Sequence, residues 1–370
     1  MPFPMQPSNF PAKRVHGLDI LRALAITMVL VTHSKGLLVP WFPQLKHCAV
    51  FGYLGVELFF VLSGFLIGRI LIRIFSVQER VPVSRLFRFW IRRWFRTLPN
   101  YYLVLVVVIA LAFWYGHTGP GWRYFLFLQN LQSPHPPIFG EAWSLAVEEW
   151  FYLTTPLLFW AVAAAFPLIP AKRRILGVIV GVACISLGAR IFHVYAHNPL
   201  WDAGVRKVVI FRLDAIMAGV FQAWLVTWYP CFTRRHDALF FRWGLFLLVF
   251  TVAGYFGLDK DTSVYARTLY FTVTSVGFSL LLPLCSRIPH PGTLQARLIT
   301  QISLISYSIY LLHLSIIQFL LFQYIPRDTP GQAVGAYILY WGLCLVLPYP
   351  VYRWYEVPTM KLRNHFFKVR

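Results

Sequence analysis

Ten apolar stretches, each close to the length that crosses a bilayer, dominate this sequence. Their approximate bounds are residues 17–38, 50–72, 98–116, 142–168, 174–195, 208–229, 241–258, 267–286, 300–323 and 333–354. About 20 mostly apolar residues suffice for one membrane-spanning helix. Only 13% of the 370 residues are charged, whereas about 25% is usual in a soluble domain. The sequence therefore predicts an all-α, polytopic membrane protein folded as a helical bundle of about ten spans.

Lysine and arginine are distributed unequally between the two sides of the predicted bundle. If both termini are cytoplasmic, the inner segments hold 23 of the 34 basic residues and the outer segments hold 10. The positive-inside rule therefore favours cytoplasmic N- and C-termini. The expected organisation is a short cytoplasmic segment over residues 1–16, one transmembrane domain over 17–358 and a basic cytoplasmic tail over 359–370.

The first span combines a membrane-spanning length with two ionisable side chains. Arg22 and His33 stand eleven residues apart, so at about 100° per residue both project from one helix face, with a rise of roughly 16 Å between them. Ionisable groups inside a membrane are costly and normally face a protein interior or a water-filled cavity. Two interpretations follow: the pair lies at the two membrane interfaces, or it lines a functional site inside the bundle.

The second span carries one carboxylate inside an apolar run, Glu57 of GYLGVELFFVLSGFLIGRILIR. Glycines recur in this span at three- and four-residue steps, which favours close packing against a neighbouring helix. A carboxylate in this setting needs a partner, and we expect an arginine or histidine of the first span.

Five arginines alternate with aromatic residues in RLFRFWIRRWFRTLPNYYL, the predicted cytoplasmic segment before the third span. One interpretation is an interfacial amphipathic helix whose cations meet lipid phosphates. The other is a guanidinium cluster that binds a phosphorylated ligand through bidentate hydrogen bonds. Both can hold at once. The candidate phosphate-binding residues are Arg92, Arg93 and Arg96.

The fourth span begins with EAWSLAVEEWFYL, on the predicted outer side where His33 also lies. Glu148 and Glu149 point about 100° apart on a helix, so one can face the bundle while the other faces water. A carboxylate beside a histidine fixes its tautomer and raises its basicity. Glu148 is therefore a candidate partner of His33, and Ser144 of the same motif is a supporting candidate.

The sixth and ninth spans add weaker candidates, for which helix packing is the stronger alternative. Arg212 and Asp214 are only two residues apart in FRLDAIMAG, so they should have different partners. In SLISYSIYLLHLS, Tyr307, Tyr310 and His313 follow one another at three-residue steps along one side of the ninth span.

The last span ends in YRWYEVPTMKLR, where Glu356 should pair with a cytoplasmic arginine and Pro358 should end the helix. The five cysteines show no CxxC spacing, so no metal site is expected. The net charge of +21 does not indicate nucleic-acid binding, because the basic residues alternate with apolar spans.

Seven motifs in a fixed order resemble a known family over roughly residues 15–362. They are Arg22-x10-His33, GVELFFVLSGFLI, RRWFR followed by Pro99 and Tyr101, WSLAVEEWFYL, FRLDAIMAG, SYSIYLLH and YEVP. Together they resemble the membrane-bound acyltransferase-three family, which includes O-antigen and exopolysaccharide O-acetyltransferases. Some members append a periplasmic hydrolase-like domain, and this chain resembles the stand-alone type.

The resemblance implies activity-linked roles for Arg22, His33, Arg93, Arg96 and Glu148, with Arg92 extending the arginine cluster. It also implies acyl-CoA, acetyl-CoA above all, as donor, a hydroxyl of a glycan or lipid-linked sugar as acceptor, and a bacterial cytoplasmic (inner) membrane. The acceptor, the side of final transfer and the oligomeric state stay open.

The expected mechanism combines the residue pattern with this resemblance. The arginine cluster holds the phosphates of the coenzyme, and its pantetheine arm runs up the bundle towards His33. His33, kept neutral by its apolar surroundings, acts as general base and Glu148 orients it. Arg22 lines the passage or stabilises the thioester oxyanion. An acyl-histidine relay is the variant that stays open.

A transporter or flippase of a lipid-linked or small glycoside is the competing hypothesis, since buried charges also line substrate paths. The arginine cluster lies on one side only, which argues against alternating access. A structural scaffold gives no reason for ionisable residues within apolar spans. The sequence therefore favours an enzyme over a transporter, and a transporter over a scaffold.

Overall fold

A computed structural model describes residues 14–77 and 81–363, and these residues form helices and loops with no β-strand. The first eight helices are α1 (His16–Leu38), α2 (Ala49–Val77), α3 (Val83–Trp114), α4 (Ala142–Ala165), α5 (Ala171–His197), α6 (Leu213–Trp228), α7 (Pro230–Arg235) and α8 (Asp237–Gly257). They are followed by α9 (Val264–Arg267), α10 (Leu269–Cys285), α11 (Leu294–Leu312), α12 (Phe319–Tyr324), α13 (Pro330–Val346), α14 (Pro348–Pro350) and α15 (Val357–Leu362).

Each of the ten predicted spans coincides with a helix, and the all-helical membrane class is confirmed. Seven helical segments are long and apolar enough to cross a membrane: His16–Leu38, Pro43–Ser76, Val83–Trp114, Ala171–His197, Asp237–Gly257, Leu294–Tyr324 and Pro330–Leu362. The helices α6 and α10 are apolar but shorter, with 16 and 17 residues. The count of ten spans and the cytoplasmic position of both termini stay predictions.

Large apolar side chains cover much of the outer surface of the bundle. Along α8, Trp243, Phe246, Val249 and Phe250 are all exposed. Such a surface is costly in water and favourable against lipid tails. The protein is therefore an integral membrane protein, with α8 on its periphery and α1 and α2 at its centre.

Glycine allows α2 and α6 to pack with their backbones almost in contact. A Cβ atom at Gly64 would lie 2.0 Å from the carbonyl oxygen of Ile216, and one at Gly219 would lie 2.1 Å from that of Val61. Only a residue without a side chain fits such an approach. The packing role expected for the glycines of the second span is thus confirmed at Gly64.

We expect Gly64→Ala to lower the free energy of unfolding by about 1–3 kcal/mol, the usual cost of overpacking a close contact. The change is checked by thermal unfolding of the purified protein in detergent. Gly188→Ala is the matched control, because a Cβ there meets no atom within 4 Å. Equal unfolding midpoints for the two variants would contradict this packing role.

Two buried ion pairs tie α6 to its neighbours, and they correct one prediction. The partner of Glu57 is Arg212, directly before α6. The expected partner, an arginine or histidine of the first span, is wrong. Asp214 pairs with Arg190 of α5 at 2.8 Å. All four side chains are at most 1% exposed. The prediction that Arg212 and Asp214 have different partners is confirmed.

The carboxyl end of the last span differs from the prediction in two ways. A π-helical turn over Val351–Glu356 runs directly into α15, so Pro358 lies in the first turn of α15 and does not end the helix. Proline has no N–H to donate to the preceding turn, and the chain nevertheless stays helical through this position. The Glu356 carboxylate accepts hydrogen bonds from Ser308 (2.8 Å) and Asn100 (3.4 Å) and takes part in none of the ion pairs between described residues.

Candidate active site

A cavity of about 1340 Å³ opens between α1, α2, α3, α4 and α11. Nine arginines line it: Arg14, Arg22, Arg69, Arg73, Arg85, Arg88, Arg92, Arg93 and Arg96. Among the residues that the structure describes, its wall contains three carboxylates, from Asp19, Glu148 and Glu356. The excess of guanidinium groups makes the cavity suited to a ligand with several negative charges.

The helical periodicity of α3 explains how its arginines reach one wall. Arg85, Arg88, Arg92 and Arg96 are spaced by three, four and four residues, which places them on one face of the helix. All four line the cavity, while the Phe87 side chain is exposed on the outer surface. The arginine face of α3 therefore borders the cavity, and both interpretations of this helix stay predictions.

Glu148 also lines the cavity, where a hydrogen-bonded network holds it. Its carboxylate accepts hydrogen bonds from Ser63 (2.7 Å) and Tyr152 (2.9 Å). The Tyr152 hydroxyl in turn accepts one from Arg93 at 2.7 Å, and the Arg93 guanidinium stacks 4.3 Å from the Tyr152 ring centre. Arg93 is therefore coupled to Glu148 through one tyrosine.

His33 does not belong to the wall of this cavity. Its ring centre lies 5.0 Å from that of His313, and no hydrogen bond joins His33 to Glu148 within residues 14–77 and 81–363. The Nδ1 atom of His313 lies 2.6 Å from the backbone carbonyl of Tyr310 and therefore donates to it. Glu148 and His33 are thus held by separate sets of neighbours.

Arg22 lines the cavity among basic and acidic neighbours from α1 and α11. Its guanidinium lies 3.9 Å from Asp19 and 3.5 Å from the hydroxyl of Ser303. Asp19 also pairs with Arg14 at 2.7 Å. This position favours a role in lining the passage over direct contact with a reacting group beside His33.

The supporting candidates fall into two groups. Ser144, Tyr307 and Glu356 line the cavity, whereas His313 is buried behind it. Glu57, Arg212 and Asp214 lie outside the cavity wall in the two ion pairs described above. No group of three metal-binding side chains occurs in the described part of the chain.

A family model described as an acyltransferase domain matches residues 15–353, which is nearly the whole chain. The chain belongs to this acyltransferase family.

Two curated relatives of this chain come from Staphylococcus aureus. The O-acetyltransferase OatA of strain NCTC 8325 is 27% identical over 93% of this chain and 57% of its own length. A second relative, from strain COL, is 28% identical over 94% of this chain and 57% of its own length, and its name gives O-acetyltransferase as a provisional function. The chain thus spans little more than half the length of these relatives. No solved structure matches it.

Two residues that line the cavity were not candidates from the sequence: Ser63 and Tyr152. Tyr152 follows Glu148 by four residues, so the helical period already places the two on one face. Ser63 gives no such signal, because serine in membrane helices commonly serves packing. Its contact with Glu148 depends on the pairing of distant helices.

Proposed function

We propose that this acyltransferase is a membrane O-acyltransferase that moves an acyl group, acetyl above all, from cytoplasmic acyl-CoA to a hydroxyl of a glycan or lipid-linked sugar. The observation that carries the proposal is the cavity with nine arginines that extends to Glu148. The names of the relatives independently favour O-acetyl transfer. The proposed setting is a bacterial cytoplasmic membrane, with one transmembrane domain over residues 17–358 and cytoplasmic flanking segments.

The chemistry of coenzyme A fits the distribution of charge in the cavity. Its phosphates are anionic and lie at one end, and its acyl thioester lies at the other end of a long, uncharged pantetheine arm. Arg92, Arg93 and Arg96 hold the phosphates through charge-assisted hydrogen bonds. The wall near Glu148 also contains Val56, Phe59 and Phe60, which suit the apolar part of the arm and the acyl group.

In the proposed reaction His33 is the general base. It takes the proton of the acceptor hydroxyl while the hydroxyl oxygen attacks the acyl carbon, and the carbon–sulfur bond then breaks. The thiolate of coenzyme A leaves with the electron pair and takes up the proton. Glu148 lines the cavity in its own hydrogen-bonded network with Ser63 and Tyr152, and Arg22 lines the path of the coenzyme. A relay through an acyl-His33 intermediate is the variant of the same proposal.

The deciding experiment is acyl-CoA turnover by the purified full chain in detergent. Thiol release above a no-protein control, with saturable acyl-CoA binding, supports the proposal. If the protein neither binds acyl-CoA nor releases thiol, the transporter hypothesis takes its place. Binding without release points to a missing acceptor, and added glycan acceptors then test that explanation.

We expect Arg96→Ala to weaken coenzyme A binding by about 10- to 100-fold, because a charge-assisted hydrogen bond contributes about 1.5–3 kcal/mol. The measurement is the Kd for coenzyme A, taken at low and at high salt. Arg234→Ala is the matched control, since Arg234 is exposed on α7 and outside the cavity wall. An unchanged Kd in Arg96→Ala would contradict phosphate binding at this residue.

A further inference from the structure

Two hydroxyl groups lie side by side in the wall of the arginine-lined cavity. Ser144 of α4 and Tyr310 of α11 both line it, and their hydroxyl oxygens are 2.6 Å apart. Both residues are buried, with exposed fractions of 5% and 7%. Phe59 packs edge-on against the Tyr310 ring at 6.1 Å between ring centres. This part of the wall therefore presents one pair of hydrogen-bonding groups beside an aromatic ring.

Tyr310 is also the link between the cavity and the histidines behind it. The ring centre of Tyr310 lies 5.5 Å from that of His313, and His313 lies 5.0 Å from His33. Neither histidine belongs to the cavity wall. Tyr310 therefore joins the cavity wall to His313, which in turn contacts His33.

The hydrogen bonds of this pair leave one donor that a ligand can use. Ser144 and Tyr310 both lie 3.3 Å from the same acceptor, the backbone carbonyl oxygen of Glu141. Each hydroxyl can therefore donate either to the Glu141 carbonyl or to the other hydroxyl. If Ser144 donates to Glu141, the Tyr310 proton can turn from Ser144 to a ligand carbonyl, and no buried group loses its only partner.

We propose that Ser144 and Tyr310 form the acyl subsite, in which the Tyr310 hydroxyl donates to the carbonyl oxygen of a short-chain acyl thioester. This inference rests on the proposed function and places the acyl carbonyl of the thioester beside the Tyr310 hydroxyl. The acceptor oxygen adds to the carbonyl carbon, and the resulting oxyanion is stabilised by the Tyr310 proton. When the oxyanion collapses, the carbon–sulfur bond breaks and the coenzyme thiolate leaves, protonated by the proton that His33 removed from the acceptor.

The first test observes the bound thioester directly and needs no acceptor. Isotope-edited infrared spectra of carbonyl-labelled acetyl-CoA bound to the full chain report hydrogen bonding to the carbonyl oxygen. We expect a lower stretching frequency in the wild-type complex than in solution, and a return towards the higher frequency in Tyr310→Phe. The phenylalanine keeps the ring contacts with Phe59 and His313 and removes only the donor.

A matched variant controls for the loss of a buried tyrosine hydroxyl. Tyr270 is 1% exposed and donates to the Thr251 carbonyl at 2.8 Å, outside the cavity wall. Tyr270→Phe should therefore retain the wild-type carbonyl frequency. Equal frequencies in the wild type and Tyr310→Phe would overturn the subsite.

The second test separates this inference from the function on which it rests. In Tyr310→Phe we expect kcat for thiol release to fall about a hundredfold, as for one lost oxyanion donor, with an unchanged Kd for coenzyme A itself. A wild-type kcat in this variant overturns the subsite alone. Loss of coenzyme A binding in Tyr310→Phe also overturns it, because the defect then lies in the fold or the phosphate site. Absence of acetyl-CoA binding by the wild type overturns the proposed function.

Discussion

His33→Ala is expected to lower the turnover of acyl-CoA by at least about a hundredfold, within the range that general acid–base catalysis contributes. The physical reason is that the variant lacks the imidazole that takes the acceptor proton in the proposed reaction. His33 lies outside the wall of the arginine-lined cavity, so the Kd for coenzyme A should stay unchanged. Thiol release and coenzyme A binding, measured on the same preparation, check both statements.

His236→Ala is the matched control for this histidine. The His236 side chain is partly exposed directly before α8, and its Nδ1 atom lies 2.9 Å from the Phe232 carbonyl. The variant should keep both turnover and coenzyme A binding. If His33→Ala keeps wild-type turnover, general-base catalysis by His33 is wrong. If His33→Ala loses coenzyme A binding as well, His33 acts in binding or in the fold.

The same variant distinguishes the two forms of the mechanism. An acyl-His33 intermediate would accumulate when wild-type protein meets labelled acyl-CoA without an acceptor, and hydroxylamine would release the label. Direct general-base attack leaves no covalent label on the protein. Label that persists in His33→Ala would place a covalent intermediate on another residue.

The positions of the helices could be predicted because hydrophobicity is a local property of the sequence. Each apolar stretch gave a helix, since a backbone surrounded by lipid must satisfy its own hydrogen bonds. The ends were less predictable. The segment after Tyr310 illustrates why: α11 passes at His313 into a π-helical turn that extends to Gln318, and tertiary contacts rather than local propensity decide such turns.

The candidate site was predictable where one helix carries the pattern and not where two helices meet. The arginine cluster of α3 lies within one segment, and its residues do share one cavity. The neighbours of Glu148 do not follow from spacing alone, because Ser63 lies 85 residues away in sequence. For the same reason the sequence placed Glu148 beside His33, whereas the structure gives each its own neighbours.

Glu57 is the clearest case of a partner that spacing could not reveal. The first span was the expected source because it is adjacent in sequence and carries Arg22 and His33. In the structure the partner is Arg212, which is 155 residues away and precedes α6. The close approach of α2 and α6 at Gly64 brings the two charges together. The prediction that Glu57 needs a charged partner was correct, but the predicted helix was wrong because spacing does not show which helices are neighbours.

Arg212→Ala is expected to lower the free energy of unfolding by about 3–5 kcal/mol, because it leaves a buried carboxylate without its counter-charge. Glu57 is 0% exposed and would keep only the hydroxyl of Ser275, at 3.1 Å. The measurement is the unfolding midpoint in detergent. Arg287→Ala is the matched control: its ion pair with Asp237 is partly exposed, so its loss should cost about 1 kcal/mol or less.

The double variant Glu57→Gln with Arg212→Met tests whether the unpaired charge causes this loss. Replacing both members of a buried pair with uncharged side chains of similar size is often nearly neutral, so the double variant should recover most of the stability lost in Arg212→Ala. The Arg190–Asp214 pair stays intact in both variants and continues to hold α5 against α6. If the double variant is as unstable as Arg212→Ala, the Arg212 side chain stabilises the bundle through packing, for which its stacking on the Phe271 ring at 4.1 Å is the available contact.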